Sequence, residues 1–436
     1  MFLWKDYPGT ERLLNNNIMT ISKQTNISAP LVFIGLMFFT IGFALGINSF
    51  LIPVINGTLG VSSAYANLVI AATFSTFIIF AYPASKTIKK IGYKHTMSLS
   101  LLIFTSGFSL YIFSANYKSF TLFLIASFIC GIGNTFLQAS INPYITILGP
   151  LESAAKRMSL MGICNKLAWP VAPVFLAWVI AKNTTEISEI SDLILPFYII
   201  IGIFILLGLI SLLAPLTEVK AIGEDNNSEC TYASDKTSIW QFPHLIIGAI
   251  SMFLYVGVEV VVLSTLVEYA NSLQLPDAAN YTWIPSIGLM VGYLFGIIAI
   301  PKFISQAKAL LVSVSIAITG TICVLFSPAA ISIWFILMIA LGCSLILPAL
   351  WPLAMADLGK FTKAGSSLLV MANVGGAIVP TIFGFVKENI GIQNAYWICI
   401  PCFLFILYYG LIGYKIRSVK IQKRFSDFDI LQIQGS

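Results

Sequence analysis

Twelve apolar runs divide this chain at regular intervals, near residues 31–53, 62–83, 97–114, 120–147, 158–181, 195–216, 243–267, 282–300, 308–327, 331–355, 365–386 and 394–414. Each is close to the roughly 20 residues that a helix needs to cross a bilayer core. The pattern predicts twelve transmembrane helices. The only long charged interruption, 217–241, carries Glu218, Lys220, Glu224, Asp225, Glu229, Asp235 and Lys236 and splits the runs six and six. The expected organisation is a tail over 1–30, a six-helix bundle over 31–216, a linker over 217–241, a second bundle over 242–415 and a tail over 416–436. The first 29 residues are polar and hold Asp6, Glu11, Arg12 and Lys23. With no cleavable signal before it, the first run is expected to stay as a helix.

Inside the fourth run, Asn134, Gln138 and Asn142 recur every fourth residue. On a helix these positions project from nearly one side. An amide buried without a partner costs several kcal/mol, so the stripe should face a polar cavity or another helix. A carboxamide offers donors and an acceptor, which suits an uncharged polyhydroxylated solute such as a sugar. Polar side chains of this kind also serve as glue between membrane helices, and the stripe alone leaves both readings open.

Charged residues make up 10% of the 436 residues, against about 25% in a soluble protein. Taking alternate short loops, one side holds Lys86, Lys89, Lys90, Lys94, Lys156, Arg157, Lys302, Lys308, Lys360 and Lys363, and the other only Lys118, Lys182 and Lys387. Basic loops stay in the cytoplasm, so both termini are expected there, including Lys415, Arg417, Lys420, Lys423 and Arg424. The net charge of +6 follows from this topology and gives no reason to expect nucleic acid. Cys399-Ile-Pro-Cys402 has redox spacing but lies in an apolar run without thioredoxin-like context. His95 and His244 fall near helix ends with no metal-site spacing, so no cofactor and no metal are expected.

The two halves retain a trace of repetition. Pro143 is matched by Pro352, Leu148-Gly149 by Leu358-Gly359, Met161 by Met371 and Pro170 by Pro380, each about 210 residues on. Parallel repeats of this kind build transporters that alternate access around a midplane site. Further polar residues within the runs are Asn48, Ser49, Asn165, Lys166, Glu259 and Asn373. Glu259 is the acid deepest in a run, and an ionisable group there defaults to a functional assignment. The competing reading is a structural ion pair with Lys166. Trp351, just before Pro352, could stack on a sugar face or belong to an interfacial aromatic belt. Tyr255 and Tyr293 are weaker candidates of the same kind.

Asn142-Pro-Tyr-Ile-Thr-Ile-Leu-Gly-Pro150 resembles the fourth-helix signature of the fucose:proton symporter branch of the major facilitator superfamily. Glu152-Ser-Ala-Ala-Lys-Arg157 with Met161-Gly-Ile-Cys-Asn-Lys166 is closer to its bacterial glucose/galactose transporters. Tyr255-Val-Gly-Val-Glu259, Trp351-Pro-Leu-Ala, Leu358-Gly-Lys-Phe-Thr-Lys363 and Gly375-Gly376 fit the same group, and the likeness runs from residue 31 to 415. It implies an all-α membrane protein with twelve transmembrane helices in two pseudo-symmetric six-helix bundles, a central sugar site and cation-coupled uptake. By matched position the site residues would be Asn48, Gln138, Asn142, Asn165, Glu259 and Trp351, with Glu259 the candidate for ion coupling.

Two departures matter. The fucose permease has acids in helices 1 and 4 where this chain has Ser49 and Gln138, and neither can carry a proton. Glu259 could substitute, sodium could replace the proton, or the protein could be a facilitator. Between runs 2 and 3, Ser85 and Lys89 stand where the superfamily's Gly-x-x-x-Asp-Arg-x-Gly pattern has Gly and Asp, so the latch made by that Asp must be arranged differently. The expectation is a monomeric multi-pass inner-membrane transporter for a neutral hexose, most simply glucose or galactose, and not an enzyme. Fucose, an amino sugar or a transport-inactive sugar sensor remain as alternatives.

Overall fold

The structure is a computed structural model that describes residues 28–61, 63–66, 68–180, 189–214, 216, 232–276, 281 and 283–417. The expected tails up to residue 27 and from 418, most of the linker (217–231) and Lys182 lie outside the described residues. Every regular element among the described residues is helical.

α1 spans Ser28–Leu59, longer at both ends than its apolar run. One continuous stretch, Leu68–Asn116, contains two spans joined at Gly92, whose φ of 80° and ψ of 173° break the helical path. A positive φ there favours a residue without Cβ. The segments 68–91 and 93–116 are α2 and α3. They are followed by α4 (Phe120–Ile147), α5 (Ala154–Ile180) and α6 (Ile194–Leu213). In the second half come α7 (Pro243–Ser264), α8 (Trp283–Ala299) and α9 (Gln306–Phe326). α10 is broken at Leu345 into Phe335–Ser344 and Ile346–Met355. In α11, Thr362–Met371 and Gly375–Ile390 are joined by a tighter turn over Ala372–Val374. α12 is Cys399–Leu411. Twelve spans result, as the apolar pattern predicts.

The repeat seen in sequence has a backbone counterpart. Gly149 and Gly359 both adopt positive φ, at 116° and 50°. Each terminates the turn after a proline-bearing helix, α4 with Pro143 and α10 with Pro352. Pro170 and Pro380 likewise both fall inside helices, α5 and α11.

Within the first half α1 lies along α5, and the α2–α3 pair packs on α4 and α6. In the second, α7 packs on α11 and α12, and α9 on α10 and α12. The α1–α5 approach depends on Gly46, where a Cβ would lie 2.5 Å from the Trp169 carbonyl oxygen. Helices of membrane proteins use small residues to come this close. The halves meet where α5 packs on α8 and α10, and where α11 packs on the α2–α3 pair. At Gly162 of α5, a Cβ would sit 2.6 Å from Cζ of Tyr293 on α8, so the ring occupies the space a side chain would need.

Several contacts between the halves cluster at the end rich in lysine. Ser85 Oγ donates to the Lys363 carbonyl oxygen at 2.9 Å, and the Gln306 amide donates to the Leu151 carbonyl oxygen. The Lys363 ammonium lies 5.8 Å from the Tyr93 ring centre. These contacts tie the two halves together at the basic end of the bundle. Ser85, standing where the superfamily pattern has glycine, itself forms the bond across the boundary.

Candidate functional site

A cavity of about 130 Å³, counted as room for the centres of water molecules, lies between the halves. α1, α2, α4 and α5 line it from one half, and α7, α8, α10 and α11 from the other. Of the residues expected to form the site, Asn48, Gln138, Asn142, Asn165 and Glu259 line it, together with Lys166 and Asn373.

Their hydrogen bonds divide these residues by role. Asn48 donates to Thr73 Oγ1 at 2.9 Å and accepts from the Tyr111 hydroxyl at 2.8 Å. Tyr111 also lies 2.8 Å from Ser127 Oγ. Both ends of the Asn48 amide are therefore engaged in a buried network of the first half. Asn165 Nδ2 donates to the Phe38 carbonyl oxygen at 3.1 Å, which ties α5 to α1.

Along α4 the amide stripe splits. Asn134 does not line the cavity; its Oδ1 accepts from Gln138 Nε2 at 3.1 Å. Gln138 Oε1 accepts from Asn373 Nδ2 at 2.8 Å, across the boundary between the halves. The Asn142 carboxamide has no hydrogen-bond partner among the described residues, although Asn142 is buried and lines the cavity. A buried amide with donors and acceptor uncommitted is an arrangement that a hydroxylated ligand completes.

Lys166 of α5 and Glu259 of α7 form a second link between the halves. Lys166 Nζ lies 3.4 Å from Glu259 Oε1, with the two side chains 10% and 12% exposed. The Tyr255 hydroxyl, one turn earlier on α7, donates to the same Oε1 at 2.7 Å. The ion-pair reading of Glu259 and its place in the cavity thus hold together rather than competing.

The structure does not bring Trp351 to the cavity. Its indole is fully buried, the ring nitrogen has no hydrogen-bond partner, and Leu347 and Pro348 are the α10 residues that line the site. The half-buried tryptophan at the cavity is Trp169, one turn beyond Asn165 on α5. The spacing of Gly162, Asn165, Lys166 and Trp169 along one helix face was the available signal for it. Ser49 lies within α1.

The Major Facilitator Superfamily profile matches residues 34–368. A glucose/galactose transporter of Brucella abortus biovar 1 (strain 9-941) is 35% identical over 412 residues, covering 92% of this chain and 98% of its own. The L-fucose-proton symporter of Escherichia coli (strain K12) is 27% identical over 408 residues, covering 87% and 92%. Among solved structures, the transporter FucP in the outward conformation superposes with a TM-score of 0.75 at 25% identity, covering 88% of this chain and 98% of that one. The chain belongs to the Major Facilitator Superfamily. It is a multi-pass membrane transporter with that superfamily's twelve-helix fold, and not an enzyme.

Proposed function

We propose that this chain takes up a neutral hexose of the glucose/galactose type by alternating access. The two halves, 31–216 and 242–415, rock about the central cavity, with the 1–30 and 416–436 tails and the 217–241 linker on the cytoplasmic side of the inner membrane. The observation that carries the reading is the uncommitted Asn142 carboxamide, set among Gln138, Asn165, Asn373 and Trp169 at the contact between the halves. Amides and an indole bind hydroxyls and a sugar's C–H face without requiring charge on the ligand. The name of the Brucella relative supports the choice of hexose. With the basic end cytoplasmic, the Ser85–Lys363 bond ties the halves together on the cytoplasmic side of the cavity.

Glu259 is the proposed coupling residue, because it is an ionisable group at the contact between the halves and Ser49 and Gln138 cannot exchange a proton. The protein is proposed to work as a monomer.

The test is uptake of radiolabelled glucose into proteoliposomes, with imposed proton or sodium gradients and competition by galactose, fucose and glucose 6-phosphate. Saturable glucose uptake that galactose inhibits supports the reading. Strong competition by the phosphate ester contradicts it, since a phosphate would have to be desolvated with little compensation. Absence of hexose flux in either direction removes it.

A further inference from the structure

Lys166 is unusual in its setting. A buried carboxylate in a membrane protein needs a counter-charge, and in transporters that charge is often a mobile cation. Here the charge is built into the chain. The Lys166 ammonium lies 3.4 Å from Glu259 Oε1, and the Tyr255 hydroxyl binds the same oxygen at 2.7 Å. The tether is also in the opposite half: Lys166 comes from α5 and Glu259 from α7. A sodium ion seeks oxygen ligands, and an acid flanked by a hydroxyl at a cavity wall would supply two. With the ammonium in place, a second cation at that oxygen would meet like-charge repulsion in a low-dielectric setting.

We propose that Lys166 is the resident counter-cation of Glu259, holding the place that a mobile sodium ion would otherwise take at this carboxylate. Sodium is then not a substrate of the parent protein, and removing the ammonium alone opens a sodium site. Where it concerns transport, this inference rests on Glu259 acting in the hexose cycle. The sodium site itself does not depend on that.

Binding of radiolabelled sodium to purified protein tests the proposal without any sugar. The parent should show no saturable binding that Glu259→Gln abolishes. Lys166→Met should bind about tenfold or more sodium than the parent, because its buried carboxylate has lost its fixed partner charge. The double variant Lys166→Met/Glu259→Gln, in which neither charge remains, should return to the parent's level. Lys166→Gln serves if the methionine variant does not fold. Saturable sodium binding by the parent that depends on Glu259 overturns the proposal, and so does a folded Lys166 variant that binds none.

Hexose exchange by the parent should run equally in sodium and in N-methylglucamine buffers; a strict sodium requirement also overturns it. No hexose exchange in any buffer would remove the sugar reading and leave the sodium-binding result to decide this one.

Discussion

The hydroxyl of Ser85 is bonded to the main-chain oxygen of Lys363, 278 positions away in sequence and on the other half of the molecule. That one bond helps to hold the two halves together at the basic end. A neutral hydrogen bond contributes about 0.5–1.5 kcal/mol, so Ser85→Ala should move the balance of states about two- to tenfold toward opening at that end. Spin labels placed on the basic ends of α2 and α11 would report it as a longer mean distance. An unchanged distance distribution would remove the latch assignment.

The cavity face of α4 should set affinity. Gln138→Ala and Asn142→Ala should each weaken hexose binding about three- to tenfold, on the scale of one lost hydrogen bond. Ile141→Leu, on a different face of the same helix, should change little. Calorimetry on the purified variants separates these outcomes, and parent-like glucose affinity in both amide variants would contradict the cavity assignment.

Asn48 lines the same cavity, but its amide is occupied by Thr73 and Tyr111. Tyr111→Phe removes a donor from a buried network and should destabilise the first half by about 1–3 kcal/mol. Thermal unfolding should show the loss, while hexose affinity measured below the transition should stay within about twofold, since the amide itself remains. A large fall in affinity without a loss of stability would place Asn48 in direct contact with the ligand.

The two tryptophans should behave oppositely. Trp169→Ala should weaken hexose binding by about tenfold, losing the apolar face of an aromatic platform. Trp351→Phe leaves a small void in the packing and removes an indole nitrogen that has no partner, so stability should fall while binding should be unchanged. Intrinsic fluorescence titrations of the two variants give the comparison, and the reverse order would restore Trp351 as the platform.

Glu259→Gln should keep shape and hydrogen bonding while removing the ionisable group. Exchange of hexose between equal internal and external pools should continue, and accumulation against a gradient should stop. Concentrative uptake by this variant under an imposed ion gradient would exclude Glu259 from coupling.

The membrane spans were legible because each is a run of apolar residues set off by short polar loops. Even so, α2 and α3 merge into one stretch broken only at Gly92. Gln138, Asn142, Asn165 and Glu259 were legible for a related reason: a polar group within a span is costly unless something satisfies it. What satisfies each one was not. The Gln138–Asn373 bond joins residues 235 positions apart, and no helical periodicity links them. Trp169 was passed over because an indole in an apolar run says little by itself, and only its spacing from Asn165 and Lys166 on one helix face marked it. Trp351 was expected at the site for the stacking face of its indole and its matched position in the resemblance, and the packing of α10 instead turns Leu347 and Pro348 toward the cavity.

Gly162 gives the tyrosine ring of α8 a side-chain-free stretch of backbone on α5. Where two helices interlock through side chains, sliding one along the other means lifting each knob out of its hole. A flat ring lying on bare main chain has nothing to lift. The joint between the halves at Gly162 is therefore a plain bearing surface, free at that point of the side-chain interlock that would oppose shear between α5 and α8. A single methyl group added at Gly162 would turn that bearing into a detent.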